Sequence, residues 1–186
     1  GVGNDITESK LAEVSLQKSE EKFRKSLEFT PIPIAVAKNN GDLVYLNKHF
    51  IDAYGYTLQD LPTIEKWFVL AYPDIEYRNF VLNDWGKRVA DALKNNVATL
   101  ATEYLATCKN GEVKTVEISA YFEKDFSIGL FQDITERKQA EEEIHRLNTS
   151  LEQRVQERTH ELQEAQEKLV RQEKLAVLGQ VAGSVS

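Results

Sequence analysis

Cysteine occurs once among the 186 residues, methionine not at all, proline four times and histidine three times. One cysteine closes no internal disulfide, which excludes a disulfide-stapled secreted fold and points to a reducing, cytoplasmic setting. Long apolar runs are missing as well. The longest, Ile32–Ala37 and Phe68–Tyr72, fall far short of the ~18 residues that span a bilayer, so no membrane insertion by this segment is expected. No basic segment leads into an apolar core at the start, so no signal peptide is expected. The chain opens on Gly1-Val2-Gly3-Asn4 without an initiator methionine, as expected of a piece cut from something longer. Positive charge is scarce: 23 basic against 30 acidic side chains leave a net charge of −7. Phosphates would be repelled, so nucleic acid is not expected as a partner. His49, His145, His160 and Cys108 show no metal-ligand spacing. There is no glycine-rich phosphate loop, no Ser/His/Asp constellation and no paired catalytic carboxylates, so no catalytic residue is assigned.

What is present begins with a repeat. Asp5-Ile6-Thr7-Glu8-Ser9-Lys10-Leu11-Ala12-Glu13 returns as Asp133-Ile134-Thr135-Glu136-Arg137-Lys138-Gln139-Ala140-Glu141, an offset of 128 with seven of nine positions identical. Asp followed by Glu three residues on reads as a capping box, with Thr7 and Thr135 as rival N-caps. The spacing is about one domain, so the chain is expected to begin on the exit of one unit and to include the next.

Between the copies lies an α/β pattern. A first helix is expected over about Thr7–Phe29, with Leu16, Phe23 and Leu27 on one stripe, ending before Pro31. Ile34–Ala37 and Leu43–Leu46 flank Asn39-Asn40-Gly41-Asp42, a strong hairpin signal. Asn47–Leu61 reads as short helical turns, and Trp67–Asn96 as helix interrupted at Tyr72-Pro73. Thr99–Cys108, Glu112–Phe122 and Ser127–Gln132 read as strands, the first two joined by Lys109-Asn110-Gly111. The order predicts an α+β fold: a five-stranded antiparallel sheet with helices on one face.

After Arg137 the character changes. Residues 136–175 carry ten acidic and eight basic side chains and neither glycine nor proline. Ile144, Leu147, Leu151, Val155, Leu162, Leu169 and Ala176 form a narrow apolar seam in that charged surround. Such a seam does not stabilise a lone helix in water, so a parallel coiled-coil homodimer is expected. The step from Leu147 to Leu151 to Val155 departs from the alternation of three and four; it is a stutter that locally unwinds a supercoil.

Ser19-Glu20-Glu21-Lys22-Phe23-Arg24, the Asn-Gly hairpin, Val44-Tyr45-Leu46-Asn47, Tyr54-Gly55-Tyr56-Thr57 and Asp133-Ile134-Thr135-Glu136-Arg137 together resemble a PAS domain of bacterial sensors, over residues 20–137. Trp67, Tyr72-Pro73-Asp74, Tyr77-Arg78 and Trp85 are similar to a variant found in multi-PAS sensor kinases. Glu157-Arg158-Thr159, followed by Gln172–Gln180, resembles the linker and opening of a histidine-kinase dimerisation helix. The resemblance implies four segments: residues 1–19 as upstream exit and linker helix, 20–137 as PAS sensor, 138–174 as signalling coiled coil, and 175–186 as the start of the dimerisation helix. It also implies kinase domains and a response regulator as downstream partners, with the phosphoacceptor histidine just beyond this segment. Two rivals are a ligand-free dimerisation and spacer module, and a PAS input to a diguanylate cyclase; Lys174–Ser186 argues against the latter.

Within that resemblance, candidate residues carry roles of different kinds. His160-Glu161-Leu162 imitates a phosphoacceptor box, but Ala165 stands where the family has proline, and a solvated face is the plainer reading. Flavin-binding relatives hold their cysteine in a helical Asn-Cys-Arg motif, which is absent around Cys108. Haem-binding relatives use a histidine on the helix before the third strand, and Asp84–Asn96 has none. No cofactor is therefore expected, although a small-molecule ligand stays open. The candidate pocket lining is Trp67, Tyr72, Tyr77, Trp85 and Phe131, with filling of the core as the plainer reading of these rings. Asp133, Thr135 and Arg137 are the candidate transmitters, at the junction of last strand and rod.

Overall fold

A computed structural model describes the backbone of residues 2–184 and the side chains of residues 10–184. The packing divides the chain into two units, one up to Glu136 and one from Arg137 onward. Helix α1 (Val2–Phe29) starts ahead of the expected Thr7, which places Asp5 and Thr7 inside the helix rather than at its cap. The side chains of the expected Asp5–Glu8 capping box lie outside the described residues. Pro31 cannot continue the helix, and its last turn is closed locally by the Thr30 hydroxyl, which donates to the Ser26 carbonyl at 2.8 Å.

Strands β1 (Ile34–Lys38) and β2 (Leu43–Leu46) form the expected hairpin. Gly41 sits in its turn at φ 90°, a conformation that side chains with a Cβ resist. Asn47 then caps α2 (Lys48–Tyr54), and Gly55 ends it at φ 75°. The expected break at Tyr72-Pro73 separates α3 (Ile64–Ala71) from α4 (Ile75–Asn95). Thr63 and Asp74 supply the N-caps, accepting from the N–H groups of Lys66 and Tyr77. Helix α3 thus opens before the expected Trp67, because Thr63 already caps it.

Strands β3 (Thr102–Thr107), β4 (Val113–Phe122) and β5 (Phe126–Asp133) come next. Strand β3 begins later than the expected Thr99. That residue instead pins β4 across a gap: its N–H donates to the Ala120 carbonyl and its hydroxyl accepts from the Ala120 N–H, both at 2.8 Å. The five strands run β2-β1-β5-β4-β3, antiparallel throughout. Strands β1 and β5 pair from Ile34↔Leu130 to Lys38↔Phe126, so the first and last strands meet at the middle. Phe50, Tyr54, Leu61, Trp67, Tyr72 and Val81, from α2 to α4, pack with Tyr104, Val116, Ile118 and Phe131 of the sheet into one buried core.

Helix α5 (Thr135–Ser184) has no buried residue. Ile144, Leu147, Leu151, Val155, Leu162 and Leu169 are each more than half exposed. Among the described residues, no helix is long and apolar enough to cross a membrane.

Candidate functional site

Two places in the first unit combine unusual packing with polar detail. One is the end of β5. The Asp133 carboxylate accepts from the Thr135 N–H at 2.9 Å and pairs with Lys114 at 2.9 Å. The Thr135 hydroxyl accepts from the Thr115 N–H at 3.0 Å, and the Ile134 N–H donates to the Thr115 carbonyl at 2.9 Å. The expected capping box is therefore not what forms here. Asp133 bonds two residues on rather than three, and Thr135 spends its hydroxyl on the neighbouring strand. Partial burial opposes ionisation of Asp133, but Thr135 and Lys114 overcome it and hold the carboxyl below its ordinary range. The β5 strand is thus carried into α5 by a single linking residue, with β4 gripping both sides of the joint.

The other place is a cavity of about 80 Å³ between the helices and the inner face of the sheet. Trp67, Tyr72, Trp85 and Phe131 line it, joined by Tyr104, Ala35, Ala37, Ser127 and Gly129. Tyr77 does not. Its ring stacks on Phe80 and its hydroxyl accepts from the Leu105 N–H at 2.8 Å, tying α4 to the edge strand β3. Trp67 sits at the centre of the ring cluster, edge-on to Phe131 at 5.3 Å and to Tyr72 at 6.2 Å. Gly129 is required by this crowding, since a Cβ there would lie 2.8 Å from the Phe131 ring. The wall contains no charged side chain.

This arrangement, with a hairpin, short helices and a three-stranded return, has known counterparts. Residues 21–90 match the family model for the PAS domain. An RNA-binding light-oxygen-voltage receptor aligns over 72% of this chain at 21% identity, with a TM-score of 0.53. The first unit has the PAS fold. This chain spans 37% of that receptor's length. A variant of RsLOV aligns over 63% of this chain and 69% of its own, at 17% identity and a TM-score of 0.50. The PAS domain from Bordetella pertussis BvgS aligns over 72% of this chain and 98% of its own, at 23% identity and a TM-score of 0.47. None of the curated proteins matches the chain.

The other singled-out residues of the PAS domain hold ordinary positions. Cys108 follows β3, is buried, and directs its sulfur toward the Ala53 carbonyl at 3.8 Å; burial pushes its thiol up, away from the reactive thiolate. His49 is half-buried on α2, and Arg78 donates to the Tyr72 carbonyl at 3.1 Å. Arg137 belongs to the second unit, where its guanidinium lies 3.9 Å from Glu141. On the same helix His160 lies 3.2 Å from Glu164 and is well exposed.

Sequence reasoning missed the role of Asn47. It is fully buried, and its side-chain oxygen accepts from the N–H groups of both Ile34 and Phe50 at 2.9 Å. Its amide donates to the carbonyls of Ile32 at 2.9 Å and Leu27 at 3.2 Å. One side chain therefore joins the end of α1, the entry to β1 and the cap of α2. Tyr45 adds a second tie, donating to Glu28 at 2.6 Å; burial first, then the Glu28 carboxylate, push its phenol up to about 12. An asparagine directly after an apolar strand was the available signal. A further network joins Tyr104 and Arg88 to Asp84, at 2.7 Å and 2.8 Å, and holds that carboxyl below its ordinary range, Arg88 first and Tyr104 second.

Proposed function

We propose that this chain is the sensory and signal-transmitting segment of a two-component sensor histidine kinase. In this reading residues 1–19 are the exit and linker of an upstream unit, and 20–137 are the PAS sensor. Residues 138–174 are a parallel dimeric coiled coil, and 175–186 open the dimerisation helix of the kinase. The PAS domain biases two packings of the coil, and the stutter at Leu151–Val155 is where twist changes. Downstream, that bias sets the rate at which ATP phosphorylates a histidine, and then a response-regulator aspartate.

The observation that carries this reading is the joint at Asp133 and Thr135. A strand that enters a helix through one residue, clamped by Lys114 and the Thr115 backbone, transmits a displacement of the sheet into the helix without a compliant loop. The seam residues exposed along α5 call for a second copy of the same helix. The test is Asp133→Ala in the full-length parent, scored by autophosphorylation from ATP. The variant is expected to fold, and to lose the dependence of phosphorylation on whatever state the PAS domain imposes, giving one fixed rate. An unchanged rate with an unchanged signal response removes the transmitter role. A ligand-free spacer is the second reading, and the small volume of the cavity favours it: about 80 Å³ is well under the ~300 Å³ where ordinary ligand pockets begin.

A further inference from the structure

Helix α4 has two faces of different character. One is buried through Val81 and Ala92 and holds Trp85 against the core. The other faces solvent, yet it is apolar. Ile75, Leu82 and Leu93 are 61%, 43% and 58% exposed, and with the exposed Gly86 and Ala90 they form one stripe, three, four or seven residues apart. Single apolar residues on a surface need no explanation, whereas a row of them along a whole helix marks a contact. Gly86 stands near the middle of this 21-residue helix. Its backbone lies outside the left-handed region, and a Cβ built on it would meet nothing within 4 Å. Glycine weakens a helix interior about fivefold in equilibrium relative to alanine, and no neighbour within the chain requires it here. A side chain missing at the centre of an apolar stripe lets a second helix approach its backbone closely.

We propose that α4 docks on α4 of a second copy of this chain, the two helices antiparallel and crossing at Gly86. Charge decides both the occupant and the direction. Glu76 and Lys94 lie 18 residues apart, five full turns, and so on the same flank of the stripe at its opposite ends. Both are exposed, and neither enters an ion pair among the described residues. Antiparallel copies set Glu76 of each beside Lys94 of the other, twice by symmetry, and oppose the helix dipoles favourably. Parallel copies would set like charges together. The stripe is also symmetric about Gly86. Leu82 meets Ala90 of the second copy, large against small, and Ile75 meets Val97, which follows the C-cap Asn96 and is 54% exposed. An unrelated partner would call for neither symmetry. One helix face per copy buries less than roughly 1,000 Å², so the contact is weak by itself, with a dissociation constant of roughly 100 µM.

The contact lies wholly within the first unit, so it stands or falls apart from the kinase reading. The test uses the full chain carrying Leu151→Asp, which keeps the rod from associating. Sedimentation equilibrium up to about 500 µM is expected to show a monomer passing to a dimer near roughly 100 µM. In that background Gly86→Ala should raise the melting temperature by a few degrees, since it favours the helix. It should also weaken association about tenfold, since a methyl group on each copy parts the helices. A glycine with a purely internal role would not separate the two readouts in this way. Glu76→Lys and Lys94→Glu should each weaken association about three- to tenfold, and the chain carrying both should recover it. Disulfide cross-linking reads the direction. A chain with Glu76→Cys mixed with one with Lys94→Cys should give a covalent heterodimer. Neither should cross-link alone, because the symmetry mates of each position lie roughly 24–30 Å apart. A chain that stays monomeric at the highest concentration overturns the proposal. So does undiminished association of Gly86→Ala, or cross-linking of the separate proteins as strong as that of the mixture. Should the rod persist in Leu151→Asp, the cross-linking carries the test, and a mixture that yields no heterodimer refutes it.

Discussion

Asn47→Ala is expected to destabilise the PAS domain by about 3–5 kcal/mol, more than the usual loss of one helix cap. The side chain is fully buried and makes two bonds as acceptor and two good ones as donor. Losing the bond to Phe50 costs about 1 kcal/mol, the ordinary worth of an N-cap. Losing the bond to Ile34 strands a buried N–H at the first residue of β1, for about 1–3 kcal/mol. The Ile32 carbonyl is left without its amide donor, which adds about 1 kcal/mol. The Leu27 carbonyl still receives the Thr30 N–H at 3.4 Å, so it adds little. The assay is urea unfolding of the whole chain, monitored by tryptophan fluorescence, since Trp67 is buried in the affected core and Trp85 flanks it. With a denaturant slope of about 2 kcal/mol/M for a domain this size, the midpoint should fall by about 2 M. Asn47→Asp keeps the acceptor and turns a carboxylate toward the Ile32 carbonyl, so it should recover the cap and still be less stable than wild type. A loss below about 1 kcal/mol for Asn47→Ala would refute the clamp, because even the cap by itself supplies that much.

The geometry fixes two other outcomes. Lys109 grips Asp60 through both carboxylate oxygens at 2.8 Å, and with the Thr57 backbone and hydroxyl it pulls that carboxyl down to about 2. A depressed carboxylate contributes stability that is present above its unfolded pKa near 4 and is lost as pH falls toward 2. Lys109→Ala should therefore lower stability at neutral pH and flatten its fall between about pH 4 and 2, the difference from wild type vanishing near pH 2, which a pH series of thermal melts will read. On α5, Leu151→Asp places a charge in the middle of the seam, and should convert a dimer of 21.2 kDa chains to monomer in sedimentation equilibrium. A wild type that sediments as a monomer at micromolar concentration would refute the seam as a dimer contact.

Much of the PAS fold was legible because it is written in local chemistry. Asn39-Asn40-Gly41-Asp42 and Lys109-Asn110-Gly111 are turns whose glycines adopt φ 90° and 86°, which few other residues tolerate. Pro73 separates α3 from α4 because proline cannot donate to a preceding turn, and Asp74 caps α4. The candidate site was legible only in part. Trp67, Tyr72, Trp85 and Phe131 do meet at the cavity, whereas Tyr77, close to Tyr72 in sequence, turns to the edge strand. The reason is register: Tyr77 is the first-turn residue that Asp74 caps, and its hydroxyl reaches the Leu105 backbone beyond the cavity. The joint at Asp133 was found by its repeat and its capping pattern, yet its bonds run to Lys114, Thr115 and Thr135, and the first two depend on a strand pairing that lies outside the motif.

By itself the sequence determined the elements, the turns that separate them, the absence of a disulfide and of a membrane-spanning run, and the apolar seam along α5. Each of these depends on residues a few positions apart, where backbone stereochemistry and periodicity act directly. Tertiary structure alone decided that β1 lies against β5, that Asn47 serves three elements at once, and that the hydroxyl of Tyr72 is left unpaired beside an apolar cavity. These are contacts between residues many positions apart. No local preference specifies them: they arise when the sheet closes and each buried polar atom takes, or fails to find, the partner that packing brings to it.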